Sequence, residues 1–298
     1  MSKSRPALTD QSNVAGARRA LGPFSVAPVG FGAMRLAGPN AFGQPGDRVR
    51  ALAVLREAVY SGVDHIDTAQ FYGPEIVNEL IRDALYPYPD DLVLVSKVGA
   101  RRDRHGGFLI DDQPKQLRCS IEENLRALGV GTLPIVNLRI MRAGEPDCFF
   151  DDQLEAMVTA RDDGLVKSFG LSNVTLARLL HALRFTDVAC VQNAFHLGNR
   201  HSQPQLEECT RRKIAFVPSS PLGSDGSGLG SVLGQREVVR QAARLRITPA
   251  QVALAWTLQA SPNVLLIPGT SSLGHLRQNL AVSEIHLDSE AVRRLSLV

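Results

Sequence analysis

The sequence predicts an α/β protein that folds as a single (β/α)₈ TIM barrel. Eight short apolar, β-branched runs alternate with longer amphipathic runs along the 298 residues. Such alternation favours parallel strands joined by helices, and chains of this length commonly close into one barrel. An open dinucleotide-binding sheet would instead carry a G-x-G-x-x-G turn after an early strand. No such turn follows the first two runs.

The predicted strands and helices alternate along the chain. The strands lie at 28–31, 63–67, 92–97, 133–138, 166–171, 188–192, 214–218 and 264–267. The helices lie at 47–61, 74–84, 114–128, 151–163, 175–185, 202–212, 237–245, 249–259 and 272–282. Thr248 precedes Pro249, which places a capping hydroxyl before a proline at the first helical position. Gly62, Gly129 and Gly164 follow predicted helices, where glycine readily ends them.

The ends of the chain and its cysteines indicate a cytoplasmic protein. We expect residues 1–12 to form a mobile tail and residues 13–298 to form the barrel. The first twenty residues are polar and mixed, unlike a secretory signal, and no run approaches the 18 apolar residues of a membrane span. The four cysteines form no CxxC pair, which favours free thiols in a reducing compartment.

Charge patterning excludes several function classes. The net charge is +3, and the charged residues are mixed without a long basic stripe, so we expect no nucleic-acid partner. A metal-dependent hydrolase needs several His, Asp or Glu ligands at the strand ends, and only Asp67 lies there, so no metal site is expected. The partner is a small molecule, and the chain is expected to be a monomer or a small homo-oligomer.

Polar residues end several predicted strands, at the rim where barrel active sites lie. Asp67, Lys97 and Asn137 close strands two, three and four. Lys97 shares the parity of Val93 and Val95, which turns it toward the interior, where an unpaired ammonium is costly. Asp67 at the neighbouring strand end is its natural partner. An ion pair that only shapes the rim is the alternative interpretation.

Tyr72 adds a chemical role to this pair, because it lies five residues beyond Asp67 in a turn bounded by glycine. A free tyrosine ionises near pH 10, and a neighbouring ammonium makes a phenol more acidic. A tyrosine placed beside Lys97 can donate a proton to a carbonyl oxygen as hydride arrives at carbon. The three residues therefore predict a proton-donor site for carbonyl reduction.

Six motifs resemble the aldo-keto reductase superfamily, and the likeness covers about 28–298. They are HIDTAQFYG (65–73), LVSKVG (94–99), GLVKSFGLSNV (164–174), VQNAF (191–195), SSPLG (219–223) and IPGTSSLGHLRQN (267–279). The resemblance implies an NADPH-dependent oxidoreductase that reduces a carbonyl substrate to an alcohol. It also implies that Tyr72 is the general acid, with Lys97 and Asp67 as its partners.

The resemblance further implies a cofactor site along the rim. The nicotinamide carboxamide is expected at Ser172, Asn173 and Gln192. The pyrophosphate is expected at Ser220, Leu222 and Gly223. The adenosine and any 2′-phosphate are expected at Gly269, Thr270, Ser271, Ser272, His275, Gln278 and Asn279. Gly32, Met34 and Ser219 complete the set of expected cofactor residues.

The chain departs from the common family pattern at four of these positions. Asn137 stands where the family usually has a histidine, and an asparagine amide donates a hydrogen bond but does not titrate. We therefore expect Asn137 to orient the substrate, with Tyr72 as the sole acid; a purely structural Asn137 is the alternative. Ser219 replaces an aromatic residue that stacks on nicotinamide in many relatives. Gly269 and His275 replace a lysine and an arginine, so NADPH is expected and NADH is possible.

Within the superfamily, the chain is most similar to bacterial pyridoxal reductases. The shared segments are ALYPYPDDLVLVSKVGARR (84–102), IVNLR (135–139) and LLIPGTSSLGHLRQN (265–279). This resemblance implies reduction of pyridoxal to pyridoxine. A tailoring ketoreductase of a sugar or polyketide pathway and a cofactor-sensing regulatory subunit are the alternatives. The loops at 101–113, 141–150 and 223–236 decide the substrate, and the sequence does not predict their conformation.

Overall fold

The computed structural model of the chain describes residues 18–223 and 232–297. Its strands in chain order are β1 (Arg19–Leu21), β2 (Phe24–Val26), β3 (Phe31–Gly32), β4 (His65–Asp67), β5 (Val93–Arg102), β6 (Phe108–Asp111), β7 (Leu133–Arg139), β8 (Val166–Ser172), β9 (Cys190–Gln192) and β10 (Ala215–Phe216). The predicted tail at 1–12 lies outside the described residues.

Helices follow most of the strands. They are α1 (Arg48–Tyr60), α2 (Ile76–Leu85), α3 (Pro114–Leu128), α4 (Cys148–Asp162), α5 (Leu176–Ala182), α6 (Gln203–Arg212), α7 (Arg236–Leu245), α8 (Pro249–Gln259), α9 (Leu273–Leu280) and α10 (Ser289–Leu295). The predicted cap at Thr248 is present, because its hydroxyl accepts a hydrogen bond from the amide of Gln251. A short 3₁₀ turn, Ala33–Leu36, follows β3.

Seven parallel strands form one curled sheet, in the order β10-β9-β8-β7-β5-β4-β3. Helices pack on its outer side, as the α/β prediction requires. The antiparallel pair β1–β2 covers the end of the sheet opposite the rim. Leu21 and Val26 of this pair join the same buried cluster as Val93 and Ile135.

The eighth predicted strand, at 264–267, does not form a regular ladder. Val264 and Leu266 make single parallel bridges to Phe216 of β10 and to Val29 before β3. The amide of Leu265 donates to the carbonyl of Phe216 at 2.9 Å, and that of Gly30 donates to Leu266 at 2.8 Å. The segment therefore lies between the two edge strands of the sheet.

The first predicted strand, at 28–31, is shorter than expected and shifted to Phe31–Gly32. A proline has no amide hydrogen to donate to a ladder, and Pro28 begins the predicted run. Regular pairing therefore starts only at Phe31, whose register partner on β4 is Ile66.

Two buried clusters separate the inside of the sheet from its outside. Val93, Val95 and Ile135 belong to the inner cluster, whereas Leu94 and Val136 belong to the larger cluster under the helices. Side chains alternate between the faces of a strand. Lys97 on β5 and Asn137 on β7 have the same parity as these inner residues, so they lie on the inner face of the sheet.

The segment 101–113 is a hairpin extension of the sheet, which the sequence did not predict. β5 runs on to Arg102, and β6 pairs with it antiparallel, with Arg102 opposite Phe108. Asp103 stabilises the turn, because its carboxylate accepts from the amides of His105 at 2.7 Å and Gly107 at 2.8 Å. In the loop at 141–150, α4 begins at Cys148, three residues before the predicted start of the helix. In the loop at 223–236, residues 224–231 lie outside the described part of the chain.

Candidate active site

Lys97 and Asp67 form a buried ion pair on the inner face of the sheet. They end up side by side because β4 and β5 are parallel neighbours, with Asp67 opposite Val95 in the register. The ammonium of Lys97 lies 2.5 Å from Oδ1 of Asp67, and it also donates to the carbonyl of Thr68 at 2.8 Å. Each residue is only 4% exposed, so the pair is held away from solvent, as the sequence predicted.

The environment of Lys97 keeps it charged. Burial alone would lower the pKa of its ammonium, but the negative charge of Asp67, together with Tyr72, raises it above the ordinary value. An opposite charge in direct contact favours the charged form of an ionisable group. The side chain therefore presents a fixed cation to whatever lies beside it.

Tyr72 lies next to that cation. Its loop follows β4, and its amide donates to the carbonyl of Ala69 at 3.0 Å. The ammonium of Lys97 is 5.0 Å from the centroid of the Tyr72 ring, and the ring of Phe71 packs edge-on against it at 5.3 Å. The structure thus brings Asp67, Tyr72 and Lys97 together at one end of the sheet.

A chain of amide and thiol groups extends from Asp67 across the inner face. Oδ2 of Asp67 accepts from Nε2 of Gln192 at 2.8 Å. Oε1 of Gln192 accepts from Nδ2 of Asn137 at 3.5 Å, and Oδ1 of Asn137 accepts from the thiol of Cys190 at 3.2 Å. Asn137 is fully buried, and a side chain on Gly170 would clash with its amide oxygen. Asn137 thus lies beside the predicted acid–base group.

A second set of polar side chains, which the sequence did not identify, supports Lys97 from behind. The hydroxyl of Thr68 donates to Oδ1 of Asn78 at 2.8 Å, and Nδ2 of Asn78 donates to Asn124 at 2.9 Å. All three are fully buried, so these bonds fix the carbonyl of Thr68 that holds Lys97. The available signal was Asn78, a polar residue between Val77 and Leu80 on an apolar helix face.

Ser172 and Asn173 lie where strand β8 leaves the sheet. Ser172 is 1% exposed and pairs in register with Gln192 of β9. Asn173 has a left-handed backbone with φ of 58°, and its side-chain amide donates to the carbonyl of Ile140 at 2.8 Å. The two residues and Gln192 are thus adjacent, as a shared carboxamide site requires.

The segment 219–223 leaves the sheet at β10. The amide of Ser219 donates to the carbonyl of Asn193 at 2.9 Å, and the amide of Gly223 donates to Ser220 at 2.8 Å. Ser220 and Gly223 have positive φ angles of 51° and 82°. This tight turn also contains Leu222, which packs against the outer core.

The segment 267–275 packs directly against the end of β3. A Cβ on Gly32 would lie 2.4 Å from the carbonyl oxygen of Ile267, and one on Gly269 would lie 2.5 Å from the oxygen of Gly32. Glycine is therefore required at both positions for this close backbone approach. Met34 lies in the 3₁₀ turn that follows Gly32.

Serine and threonine hydroxyl groups lie close together where this segment leads into α9. The amide of Ser272 donates to the hydroxyl of Thr270 at 3.0 Å, and the hydroxyl of Ser272 caps the helix by accepting from the amide of His275 at 3.4 Å. Ser271, His275 and Gln278 are exposed, whereas Asn279 is buried. A helix start that carries hydroxyls and free amides is a favourable place for an anion.

Arg35 is a candidate cofactor residue that the sequence did not identify. Its side-chain stem lies 3.4 Å from the place a Cβ would take on Gly269. Within the described residues its guanidinium has no hydrogen bond or ion pair. A cation without an ion pair in the described residues, beside Gly269, fits a phosphate group of a dinucleotide. The available signal was a cation directly after the predicted first strand.

The described residues contain neither a metal-binding cluster nor a membrane-spanning helix. Within 18–223 and 232–297, no cluster of three or more His, Cys, Asp or Glu side chains is arranged to hold a metal ion. No helix in the same ranges combines the length and the apolar character needed to cross a bilayer.

Comparison with curated proteins identifies close relatives. Pyridoxine 4-dehydrogenase of Escherichia coli is 45% identical over 278 residues, which cover 92% of this chain and 96% of that protein. An uncharacterised oxidoreductase of Schizosaccharomyces pombe is 33% identical over 296 residues, covering 99% of this chain and 94% of that protein.

Solved structures show the same fold. A thermostable aldo-keto reductase solved with the inhibitor epalrestat superposes with a TM-score of 0.80 at 26% identity, covering 95% of this chain and 99% of that one. An aldo/keto reductase from Klebsiella pneumoniae, solved with NADP and acetate, gives a TM-score of 0.77 at 25% identity, with coverage of 94% and 95%.

The match to a family model assigns the chain to a protein family. The model of the Aldo/keto reductase family matches residues 28–297, which is nearly the whole described chain. Together with the relatives, this match confirms the superfamily and the oxidoreductase class that the motifs predicted. The chain belongs to the aldo/keto reductase family.

Proposed function

We propose that this enzyme uses NADPH to reduce a small aldehyde of the pyridoxal type to the alcohol, with Tyr72 as the proton donor. The observation that carries the proposal is the buried ion pair of Lys97 and Asp67 beside the Tyr72 ring. The substrate assignment is supported by the 45% identity to a pyridoxine 4-dehydrogenase over most of both chains.

The three residues have separate tasks in this proposal. When bound, NADPH supplies a hydride to the carbonyl carbon. The carbonyl oxygen gains negative charge in that step, and the hydroxyl of Tyr72 donates a proton to it. The fixed cation of Lys97 stabilises the phenolate that remains. Asp67 and the carbonyl of Thr68 hold the ammonium in place.

Asn137 orients the substrate but does not exchange protons. Its side-chain nitrogen donates to Gln192 across 3.5 Å, a long hydrogen bond that a substrate oxygen can replace. An amide does not titrate in the physiological range, so Tyr72 remains the sole acid.

The rim residues fit a dinucleotide with a phosphate group. We assign the carboxamide to Ser172, Asn173 and Gln192, and the pyrophosphate to the turn at 219–223. We assign the adenosine and its 2′-phosphate to the hydroxyl groups and other side chains of residues 269–279. Arg35 adds a cation to this region: its side-chain stem lies beside Gly269, and its guanidinium has no hydrogen bond or ion pair within the described residues.

We also infer that the curled sheet is a complete (β/α)₈ barrel within a single domain spanning residues 13–298. The eighth strand is the segment 264–267, which is hydrogen-bonded to both edge strands of the sheet. In a closed barrel, all the assigned groups would lie around one rim, at the carboxyl ends of the strands, where barrel enzymes carry their active sites.

The experiment compares wild type with Tyr72→Phe, using pyridoxal and NADPH. Pyridoxine formation is measured by chromatography, and NADPH affinity by fluorescence titration. Because the variant keeps the ring and loses only the acidic hydroxyl, we expect kcat to fall by about 10²–10⁴-fold. The dissociation constant of NADPH stays unchanged. Tyr60→Phe is the matched control, because Tyr60 is 80% exposed on α1.

Three results would contradict parts of the proposal. Wild-type turnover by Tyr72→Phe removes the proton-donor role. Reduction of sugar or polyketide carbonyls without any reduction of pyridoxal favours the tailoring ketoreductase. Tight NADPH binding with no turnover of any carbonyl in a broad panel favours the cofactor-sensing subunit.

A further inference from the structure

Arg139 ends strand β7 at the mouth of the active site. Ile135 packs in the inner cluster, and side chains alternate along a strand, so Asn137 and Arg139 both face inward. In the register, Arg139 pairs with Ser172 of β8. Arg139 therefore lies one layer above the buried residues Lys97 and Asn137.

The guanidinium of Arg139 has no acidic partner. Its Nε is fully buried and lacks a hydrogen-bond partner, and the described residues offer its side chain no ion pair. Its guanidinium lies over the ring of Phe108, with 5.9 Å between Cζ and the ring centroid. A desolvated donor left without a partner is costly, which makes it a strong site for an incoming acceptor.

A second guanidinium, that of Arg102, lies on the same aromatic ring. Its Cζ is 3.5 Å from the centroid of Phe108. It donates to three backbone carbonyls, at 2.7 Å to Gly106, 3.2 Å to Asn40 and 3.4 Å to Phe71. Two guanidinium groups thus flank one ring, and within the described residues neither forms an ion pair with a carboxylate.

Arg102 lies within the electrostatic influence of Arg139 and Tyr72. Burial lowers the pKa of Arg102 and the positive charge of Arg139 lowers it further, whereas Tyr72 and Asp103 raise it in part. The ring of Phe108 also packs on Phe71 at 5.6 Å, and Phe71 packs on Tyr72 at 5.3 Å. The excess positive charge is therefore at the mouth above Tyr72.

We propose that Arg139 binds an anionic group of the substrate, so that the enzyme prefers aldehydes carrying a carboxylate, phenolate or phosphate. The inference rests on the proposed function, because it places this group beside a carbonyl held at Tyr72. A guanidinium offers two parallel donors to such an anion. Pyridoxal fits this class, because a phenolic hydroxyl that ionises readily lies next to its aldehyde.

The test uses two aldehydes of the same shape, 4-carboxybenzaldehyde and 4-formylbenzamide, which differ in charge. Arg139→Gln is expected to lower kcat/KM for the carboxylate by about 10- to 100-fold, mainly through KM, because a charge-assisted hydrogen bond is lost. The neutral amide changes by about threefold or less. Arg139→Lys keeps the charge and restores part of the preference.

Arg184→Gln is the matched control. Arg184 is exposed after α5 and makes no side-chain hydrogen bond or ion pair with the described residues, so this variant removes the same net charge without touching the mouth. The dissociation constants of the two product alcohols, 4-(hydroxymethyl)benzoate and its neutral amide, compare the charged and the neutral ligand by binding alone. Pyridoxal and pyridoxal 5′-phosphate, assayed on both variants, identify whether phenolate or phosphate is the preferred anion.

The outcomes separate this inference from the proposed function. An equal loss for both benzaldehydes, or no loss for the carboxylate, overturns the role of Arg139. An Arg139-dependent preference for the carboxylate in an enzyme that does not reduce pyridoxal supports the anion site and contradicts the proposed substrate.

Discussion

The interior of the site and its mouth treat charge in opposite ways. In the interior, Lys97, Asp67, Gln192 and Asn137 are each bonded to another protein group. At the mouth, Arg35 and Arg139 have no ion pair within the described residues. These four interior side chains have protein partners without a ligand, whereas the two arginines carry positive charge that anionic ligands would balance.

This difference indicates how the two layers contribute to reduction. A proton donor needs its neighbours fixed before the substrate arrives, because preorganised charges cost no rearrangement during the reaction. A binding residue gains most when its free state is unsatisfied and its bound state is paired. Substitutions in the interior should therefore affect both stability and kcat, whereas substitutions at the mouth should affect affinity.

The largest effect is expected for Lys97→Met. Removing the ammonium leaves Asp67 buried without its cation, and breaking a buried pair typically costs about 3–5 kcal/mol of the free energy of unfolding. Tyr72 loses the charge beside it at the same time, so we expect kcat to fall by about 10³-fold or more. Urea unfolding and steady-state kinetics measure the two effects.

The double variant Lys97→Met with Asp67→Asn is the control for this experiment. Neutralising both partners removes the uncompensated charge, so most of the lost stability should return while kcat stays low. If the single variant lost stability but kept its turnover, the ion pair would be a structural feature of the rim, and the interior would not be the acid–base site.

A smaller effect, confined to affinity, is expected for Arg35→Gln at the mouth. Loss of a charge-assisted hydrogen bond should weaken NADPH binding by about 10-fold, with kcat and unfolding free energy unchanged. Fluorescence titrations with NADPH and NADH distinguish the phosphates. An effect on NADPH alone places Arg35 at the 2′-phosphate, and an effect on both places it at the pyrophosphate.

Arg184→Gln again provides the control for net charge. Unchanged affinity for both cofactors in Arg35→Gln would remove this residue from the binding site. A loss of stability in the same variant would show that Arg35 has a structural role, and the contrast between a satisfied interior and an unsatisfied mouth would then be weaker.

Much of the interior could be predicted from the sequence, because it follows from periodicity. The parity of Lys97 with Val93 and Val95 is local information, and the structure confirms the contact with Asp67. The irregular pairing at 264–267 and the hairpin partner β6 were not predictable in this way. Both depend on hydrogen bonds to segments distant in the sequence or on turn geometry, as at Asp103.

The mouth could be predicted only in part, for a different reason. Arginine is usually a surface residue, and nothing local to Arg35 or Arg139 distinguishes a solvated guanidinium from one that lacks a partner. The absence of a partner is a property of the folded molecule. The resemblance to a family placed the cofactor residues, whereas these two arginines became candidates only from their contacts.

The smallest expected effect concerns the thiols and tests whether the interior is closed. Burial raises the pKa of Cys190 and of Cys209 from 9.0 to about 12 in each case. A raised pKa in the folded state favours the folded protein below pH 9.0, and this contribution is lost as the pH rises toward 12. The free energy of unfolding should therefore decline across this alkaline range, and Cys190→Ala should reduce the slope.

Iodoacetamide should modify the exposed Cys119 and Cys148 in the native protein and spare the buried Cys190 and Cys209, because the thiolate is the reactive form. Modification of Cys190 at the rate of Cys119 would mean that the interior opens to solvent, and the distinction between a closed interior and an open mouth would be wrong.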